Sequence, residues 1–346
     1  MADVSEAELF GRMADGTDVH RVRLATDGLR VGVITFGAAL QSIELPAEAG
    51  WINVALGLVT LEEYVAFSPH FGAVPGRYAG RIRGGRFMLD GVTHELPKND
   101  GPNTRHGGPH GFGKRPWTLQ EHGPSHATLA LISADGDAGF PGELRVEVRY
   151  SLQGSDLRVD YHATTTRPTV LNLTNHSYFN LAGEGSGSVL EHELTIEADQ
   201  FTPIDAESLP TGEIRAVAET PLDFRSAHAI GARIRDADPQ IVLARGYDQA
   251  YLIRGNGLRR AALLRDPRSG RTMEVLTTEP ALQLYTANVL NGALAGPSGR
   301  TYRQADAVCL ETQHLADSPN QPHFPPTVLR PNQVFASTTI FRFGLA

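Results

Sequence analysis

"LTNHSYFNLAG", residues 173–183, sets His176 between Asn175 and Asn180 and beside two aromatic residues. Imidazole titrates near neutrality, so His176 can give or take a proton at pH 7. Buried side-chain amides need partners for both N–H and C=O, so packing alone rarely crowds them around a histidine. A second candidate lies far along the chain. Glu311 sits in "AVCLETQ" (307–313), whose apolar residues suggest a strand in an interior setting, where a carboxylate needs a functional or hydrogen-bonding reason. Together the two residue types make general acid–base chemistry available. Taken singly, each is equally consistent with a structural role.

Other polar and aromatic residues gather in "PGRYAGRI" (75–82), "NDGPNTRHGGPHGFGKRPW" (99–117), "LQLYTANVLNG" (282–292), "GYDQAYLI" (246–253) and "LETQHLADSPNQPHFPP" (310–326). Three rival chemistries fit them poorly. His106 and His110 are four apart, but glycines and a proline separate them, and neither HExxH nor a cysteine pair is present, so no metal site is expected. GxSxG is absent, which removes the nucleophile elbow. Cys309 would share a strand face with Glu311 and Gln313, yet a buried small hydrophobe explains it more simply than a nucleophile. "HGGPHGFGK" lacks the GxxxxGK[ST] spacing of a phosphate loop.

The elements that must carry these residues read as strands. In "GELRVEVRYSL" Leu144, Val146, Val148 and Tyr150 alternate with Glu143, Arg145, Glu147 and Arg149; "DLRVDYHAT", "HELTIEAD" and "QVFASTTIFRF" continue the pattern. Such alternation describes antiparallel strands with one buried face. "RGGRF" and "LDGVTHEL" carry glycine turn signals. Helical candidates are few: "TLEEYVA" at 60–66 with Thr60 as N-cap, and "SAHAIGARIRD" at 226–236. Neither βαβ alternation nor a fixed-period repeat is present, so the expectation is one large β-sandwich-like domain over residues 1–346.

The bulk numbers agree. Across 346 residues, 41% hydrophobic and 20% charged is the balance of a soluble globular protein, and 36 glycines with 22 prolines favour many turns. A net charge of −8 gives no basic face for phosphate backbones, so nucleic acid is not an expected partner. Cys309 is the only cysteine, which points to a reducing compartment. The opening "MADVSEAELFGRMADG" lacks the apolar core of a signal peptide, and no apolar run approaches a membrane span. The expectation is therefore a cytoplasmic protein without a membrane partner.

At this point the motifs resemble the aldose 1-epimerase (galactose mutarotase) family. "NHSYFNLAG" is similar to its most recognisable segment, "GRYAGRI" to its GR-aromatic-ANRI motif, and "HGGPHGFGKRPW" to its HGG…GF…K…W loop. "GYDQAYLI" resembles its G-Y/F-D motif, and "CLETQHLADSPNQPHFPPTVLRP" its C-terminal stretch. The likeness runs in order along nearly the whole chain. It implies an all-β fold, a single large antiparallel β-sandwich of the galactose mutarotase-like supersandwich type. It also implies interconversion of α and β anomers of free aldoses, without metal or organic cofactor; action on a modified sugar such as a hexose 6-phosphate, or sugar binding without catalysis on the same fold, are the alternatives. By resemblance Glu311 is the base at the C1 hydroxyl, His176 the acid at the ring oxygen, and His106 a support for developing charge; Arg81, Asp248 and Gln283 hold sugar hydroxyls. The partner is then a small-molecule sugar, and the chain a monomer or homodimer. The Asn175 and Asn180 amides are expected to fix the imidazole, while Tyr178, Phe179 and Trp117 suit core packing and sugar stacking equally. Three departures stand out. Gly80 replaces the family's usual Asn and is expected to leave space in the site; Arg105 replaces a common leucine and adds charge; Asn332 replaces a glycine at a turn needing φ > 0.

Overall fold

The computed structural model describes residues 7–346; the first six residues of the acidic opening segment, which the expected domain and the signal-peptide reading include, lie outside them. Strands make up 45% of the chain and helices 8%, which makes the fold all-β. Among the described residues every strand ladder is antiparallel, from the N-terminal hairpins to the C-terminal strand.

Three sheets build the body. A five-stranded N-terminal sheet runs in chain order from Glu8–Arg12 to Gly50–Asn53. A nine-stranded sheet takes the C-terminal strand Phe335–Leu345 into its middle, between Asp156–Thr165 and Arg271–Thr277. A second five-stranded sheet contains Ala198–Thr202, Asp248–Ile253, Ala281–Tyr285 and Cys309–Gln313. Alternation sets which side of each strand is dry: Leu144, Val146, Val148 and Tyr150 are buried, while Arg145 and Glu147 face water. Val33, Val148 and Leu284, one from each sheet, belong to a single hydrophobic cluster. Each such side chain contributes roughly 1.5–3 kcal/mol on burial, so the cluster fixes how the sheets face one another.

Local chemistry explains the connections. In "LDGVTHEL" Asp90 and Gly91 have φ of +50° and +80°, the two left-handed positions of a hairpin turn whose twist matches its strands. Asn332, at φ +67°, takes the turn position expected of it. Leu61–Phe67 is a helix opened by a capping box: Thr60 accepts from the Glu63 N–H, and the Glu63 carboxylate accepts from the Thr60 N–H at 3.0 Å.

The expected helix at 226–236 does not form. His228–Ala229 instead pairs with Glu193–Leu194 at a sheet edge, followed by a single 3₁₀ turn at Ile230–Ala232. Gly231 approaches Leu190 so closely that a Cβ would lie 2.9 Å from its backbone oxygen, so edge pairing and close contact override the weak helical pattern. A short helix forms instead at Pro239–Ala244, where Asp238 caps and Pro239 takes the first turn. Among the described residues no helix is long and apolar enough to cross a membrane.

Candidate active site

The register of three neighbouring strands assembles one wall of a cavity. Ala250 pairs with Gln283, and Gln283 pairs with Glu311. Side chains alternate along a strand, so Asp248 joins Gln283 and Glu311 on the same face, while Leu310 turns to the hydrophobic cluster. Gln283 Nε2 donates to Asp248 Oδ1 at 2.7 Å, which leaves the amide oxygen and the second carboxylate oxygen free for a ligand.

The loop carrying His176 covers this wall. Phe179 bridges to both Ala55 and Val308, and the His176 N–H donates to the Ala73 carbonyl. The asparagines support this loop, but through backbone rather than through the imidazole. Asn175 donates to the Gly72 carbonyl, and Asn180 donates to the carbonyls of Gly187 and Asp306. The imidazole itself is held by rings: Tyr178 stacks at 5.0 Å and 12°, His70 lies nearly parallel at 6.0 Å, and His106 and Tyr285 meet it edge-on. His176 Nε2 then stands 3.6 Å from Glu311 Oε1, with both side chains buried. That separation is too long for a hydrogen bond, so neither group satisfies the other.

His106 comes from the glycine-rich loop. Gly107 is required there, because a Cβ would lie 1.8 Å from the Gly76 carbonyl oxygen and φ is +81°. Gly80 brackets the histidine twice: its carbonyl accepts from the His106 N–H at 2.9 Å, and its N–H donates to His106 Nδ1 at 3.2 Å. With Nδ1 accepting, the proton of the neutral ring sits on Nε2, ready to donate to an oxygen in the cavity. Gly80 does not leave the open space expected from the missing asparagine. At φ +82° a Cβ would press within 2.9 Å of Ala316 Cβ. Arg81 and Arg105 pair directly across a two-stranded ribbon, and both reach the cavity. Arg81 is tied to Asp100 at 2.6 Å, whereas Arg105 has no ion-pair partner among the described residues.

Burial dominates the electrostatics. It pulls His176 down to about 3, assisted by the Arg105 charge, and holds His70 and His106 well below the usual histidine range. It pushes Glu311 well above the ordinary carboxylate range; nearby Asp248 adds to the rise and Arg105 opposes it. Asp248 is also raised by burial. A carboxylate and an imidazolium would attract at 3.6 Å, but removal from water disfavours each charge more, so the pair holds one proton and is neutral as a unit. Among the described residues the buried atoms without hydrogen-bond partners include His70 Nδ1, His176 Nδ1, Thr202 Oγ1 and Gln313 Oε1, all from residues lining this cavity.

All six expected site residues, Glu311, His176, His106, Arg81, Asp248 and Gln283, therefore line one cavity. Tyr178 lines it as well, while Phe179 packs on Phe341 and Trp117 lies in the core with its indole N–H on the Phe112 carbonyl. His70 and Tyr285 also line the cavity, although the sequence does not single them out. Nothing in the spacing of "SPHF" marks His70, and Tyr285 was only part of a less charged cluster. His110 is exposed and does not line the cavity that holds His106. The structure does join three donors that no spacing motif connects, since ligand atoms of His176, Cys309 and Glu311 lie within 4.8 Å of one another.

Comparison with known proteins places the chain in a family. The family model described as aldose 1-epimerase matches residues 20–342. The chain is 42% identical to galactose mutarotase of Bos taurus, covering all of both chains, and 39% identical to aldose 1-epimerase of Escherichia coli (strain K12), covering 91% and 92%. Among solved structures it is similar to an aldose epimerase homologue from C. elegans, with 31% identity, a TM-score of 0.88, and coverage of 95% and 99%. It is also similar to galactose 1-epimerase from Lactobacillus acidophilus, with 30% identity, a TM-score of 0.87, and 99% of both chains covered.

Proposed function

This chain belongs to the aldose 1-epimerase family, and from that premise we propose how its cavity interconverts the α and β anomers of free aldohexoses such as glucose and galactose. Glu311 and His176 exchange a single proton with opposite ends of the hemiacetal. Glu311 takes the proton from the C1 hydroxyl; the C1–ring oxygen bond breaks as the aldehyde forms, and His176 delivers a proton to the ring oxygen. The reacting form is the carboxylate–imidazolium tautomer of the neutral pair, reached by moving the one proton from Glu311 to His176; ring opening returns the pair to carboxylic acid with imidazole, so its proton count is unchanged. Burial favours the second arrangement and so stabilises the complex with the opened sugar. Rotation about C1–C2 and closure on the other face run the same transfers backwards.

The observation carrying this reading is the 3.6 Å gap between His176 Nε2 and Glu311 Oε1, both buried and unsatisfied by each other. His106 supports it as an Nε2–H donor for the ring region, and Arg81, Asp248 and Gln283 supply charged and amide contacts for hydroxyls. The single buried Cys309 fits a reducing, cytoplasmic setting. Polarimetry of freshly dissolved α-glucose and α-galactose tests the reading: the protein is expected to speed the drift to equilibrium rotation for at least one of them. A rate equal to that of buffer alone for both overturns it. A second reading, action on a sugar with an anionic substituent such as a hexose 6-phosphate, is favoured by Arg105, which has no ion-pair partner among the described residues. Faster equilibration of the phosphate than of the free sugars would establish it.

A further inference from the structure

The chemistry proposed above uses Glu311 and His176 but leaves Cys309 idle. Cys309 lies two residues before Glu311 on the same strand face, and its thiol is buried. Donor atoms of Cys309, Glu311 and His176 fall within 4.8 Å of one another, and all three residues are more than nine-tenths buried. Nε2 of His176, the ring nitrogen that faces Glu311 at 3.6 Å, makes no hydrogen bond among the described residues, so its lone pair is unclaimed. In a tetrahedral zinc site, bonds of ~2.0–2.3 Å put donors roughly 3.3–3.8 Å apart, so closing around an ion needs shifts of only about 1 Å. Thiolate, imidazole and carboxylate are the mixed donor set that zinc accepts, and three protein ligands leave a fourth position for water.

We propose that His176, Cys309 and Glu311 form a binding site for one Zn²⁺ ion, and that occupation of this site reversibly inhibits the enzyme. The charge balance favours it. A divalent cation with one thiolate and one carboxylate is neutral overall. On binding, the Cys309 S–H bond breaks and its proton leaves with water, any proton on Glu311 follows, and His176 binds through a ring lone pair. Nothing is oxidised or reduced. Binding rests on the donor geometry alone; inhibition rests on the reading of Glu311 and His176 as the reacting pair.

Titration with zinc sulfate is expected to inhibit mutarotation competitively with sugar, and excess chelator to restore the rate. Chelator without added zinc should leave the metal-free rate unchanged. Cys309→Ser should keep the basal rate while weakening zinc inhibition by about 10–100-fold or more, since even outer-shell partners of metal ligands are worth that much. Cobalt should give a thiolate-to-metal charge-transfer absorption at one ion per chain, absent in Cys309→Ser and in Cys309→Ala, which adds no buried hydroxyl. The cobalt band in the unaltered protein tests binding even where neither variant folds or no sugar is turned over. Equal zinc inhibition in wild type and Cys309→Ser, or no charge-transfer band at saturating cobalt, overturns the proposal.

Discussion

Glu311 and Glu279 each face a histidine inside the protein, at different distances and in different company. Glu279 Oε2 lies 2.8 Å from His314 Nδ1, a hydrogen bond, and His314 is fixed further by Asn172, which exchanges bonds with its backbone N–H and carbonyl. Glu311 Oε1 stands 3.6 Å from His176 Nε2, and the other nitrogen of that ring has no partner among the described residues. His314 follows Glu311 by three residues in "LETQH", so one stretch contributes to both pairs. The hydrogen-bonded pair spends its facing atoms on each other and acts as a brace. The open pair has lone pairs and a proton to offer, and the cavity beside it gives a substrate somewhere to use them. Among buried polar groups, unmet capacity is the sign of function.

The largest contrast is expected from cutting each pair. Glu311→Gln keeps shape but removes the proton acceptor, and acid–base assistance of this kind contributes about 10²–10⁴-fold, so kcat should fall by that range while sugar still binds. His176→Asn should do the same. The double variant should be far less than multiplicatively worse, because either loss stops one shared transfer. Near-normal kcat in Glu311→Gln would take the base away from the mechanism. His314→Leu should act differently: leaving Glu279 buried without its partner costs about 1–3 kcal/mol, seen as a lower denaturation midpoint, with kcat retained. A collapse of kcat with unchanged stability would mean that the two pairs do not divide the work as described.

The same contrast limits what the sequence can reveal. Period-2 alternation identified Leu144–Gln153 and Asp156–Thr165 because a sheet with one dry face writes its burial directly into the residue order. Thr60 and Glu63 announced their helix because a capping box is local. The "SAHAIGARIRD" reading failed because its backbone is decided by Leu190 and by a strand partner some thirty residues away. Within the site, the six expected residues came from family resemblance; nothing local in the chain predicts that register sets Gln283 opposite Glu311. His70 carries no local signal, since its place beside His106 and His176 is a product of packing. The use of the Asn175 and Asn180 amides on carbonyls rather than on the imidazole was hidden for the same reason.

A smaller effect separates positioning from contact. Gly80 holds His106 by two hydrogen bonds and is crowded against Ala316. Gly80→Asn puts the best-tolerated non-glycine residue at φ > 0 yet still forces Ala316 or the His106 loop to move. If one hydrogen bond of ~1 kcal/mol is weakened, kcat/KM should drop by up to about tenfold, equally for glucose and galactose, and Ala316→Gly should recover much of it. A loss confined to one sugar would show instead that the amide touches a hydroxyl that distinguishes them.

The subtlest test concerns Arg105, the cavity cation without an ion-pair partner among the described residues. The active form of the Glu311–His176 pair holds one proton, so activity has two limbs that belong to the pair. The acid limb is gain of a second proton, resisted because burial holds His176 down near 3; the alkaline limb is loss of the only proton, delayed because burial raises Glu311. The positive charge of Arg105 opposes protonation at both places, lowering Glu311 and lowering His176. Removing that charge therefore raises both. Arg105→Leu should move the whole kcat profile to higher pH, most visibly as activity persisting further into alkali, with the plateau little changed. Because Arg105 is only half-buried, added salt should screen it and move the wild-type profile in the same direction, while leaving the variant nearly still. A profile that stays in place in Arg105→Leu, or moves toward acid, would mean that the pair does not feel this guanidinium. The free cation would then face outward, toward whatever the sugar carries at the mouth of the cavity.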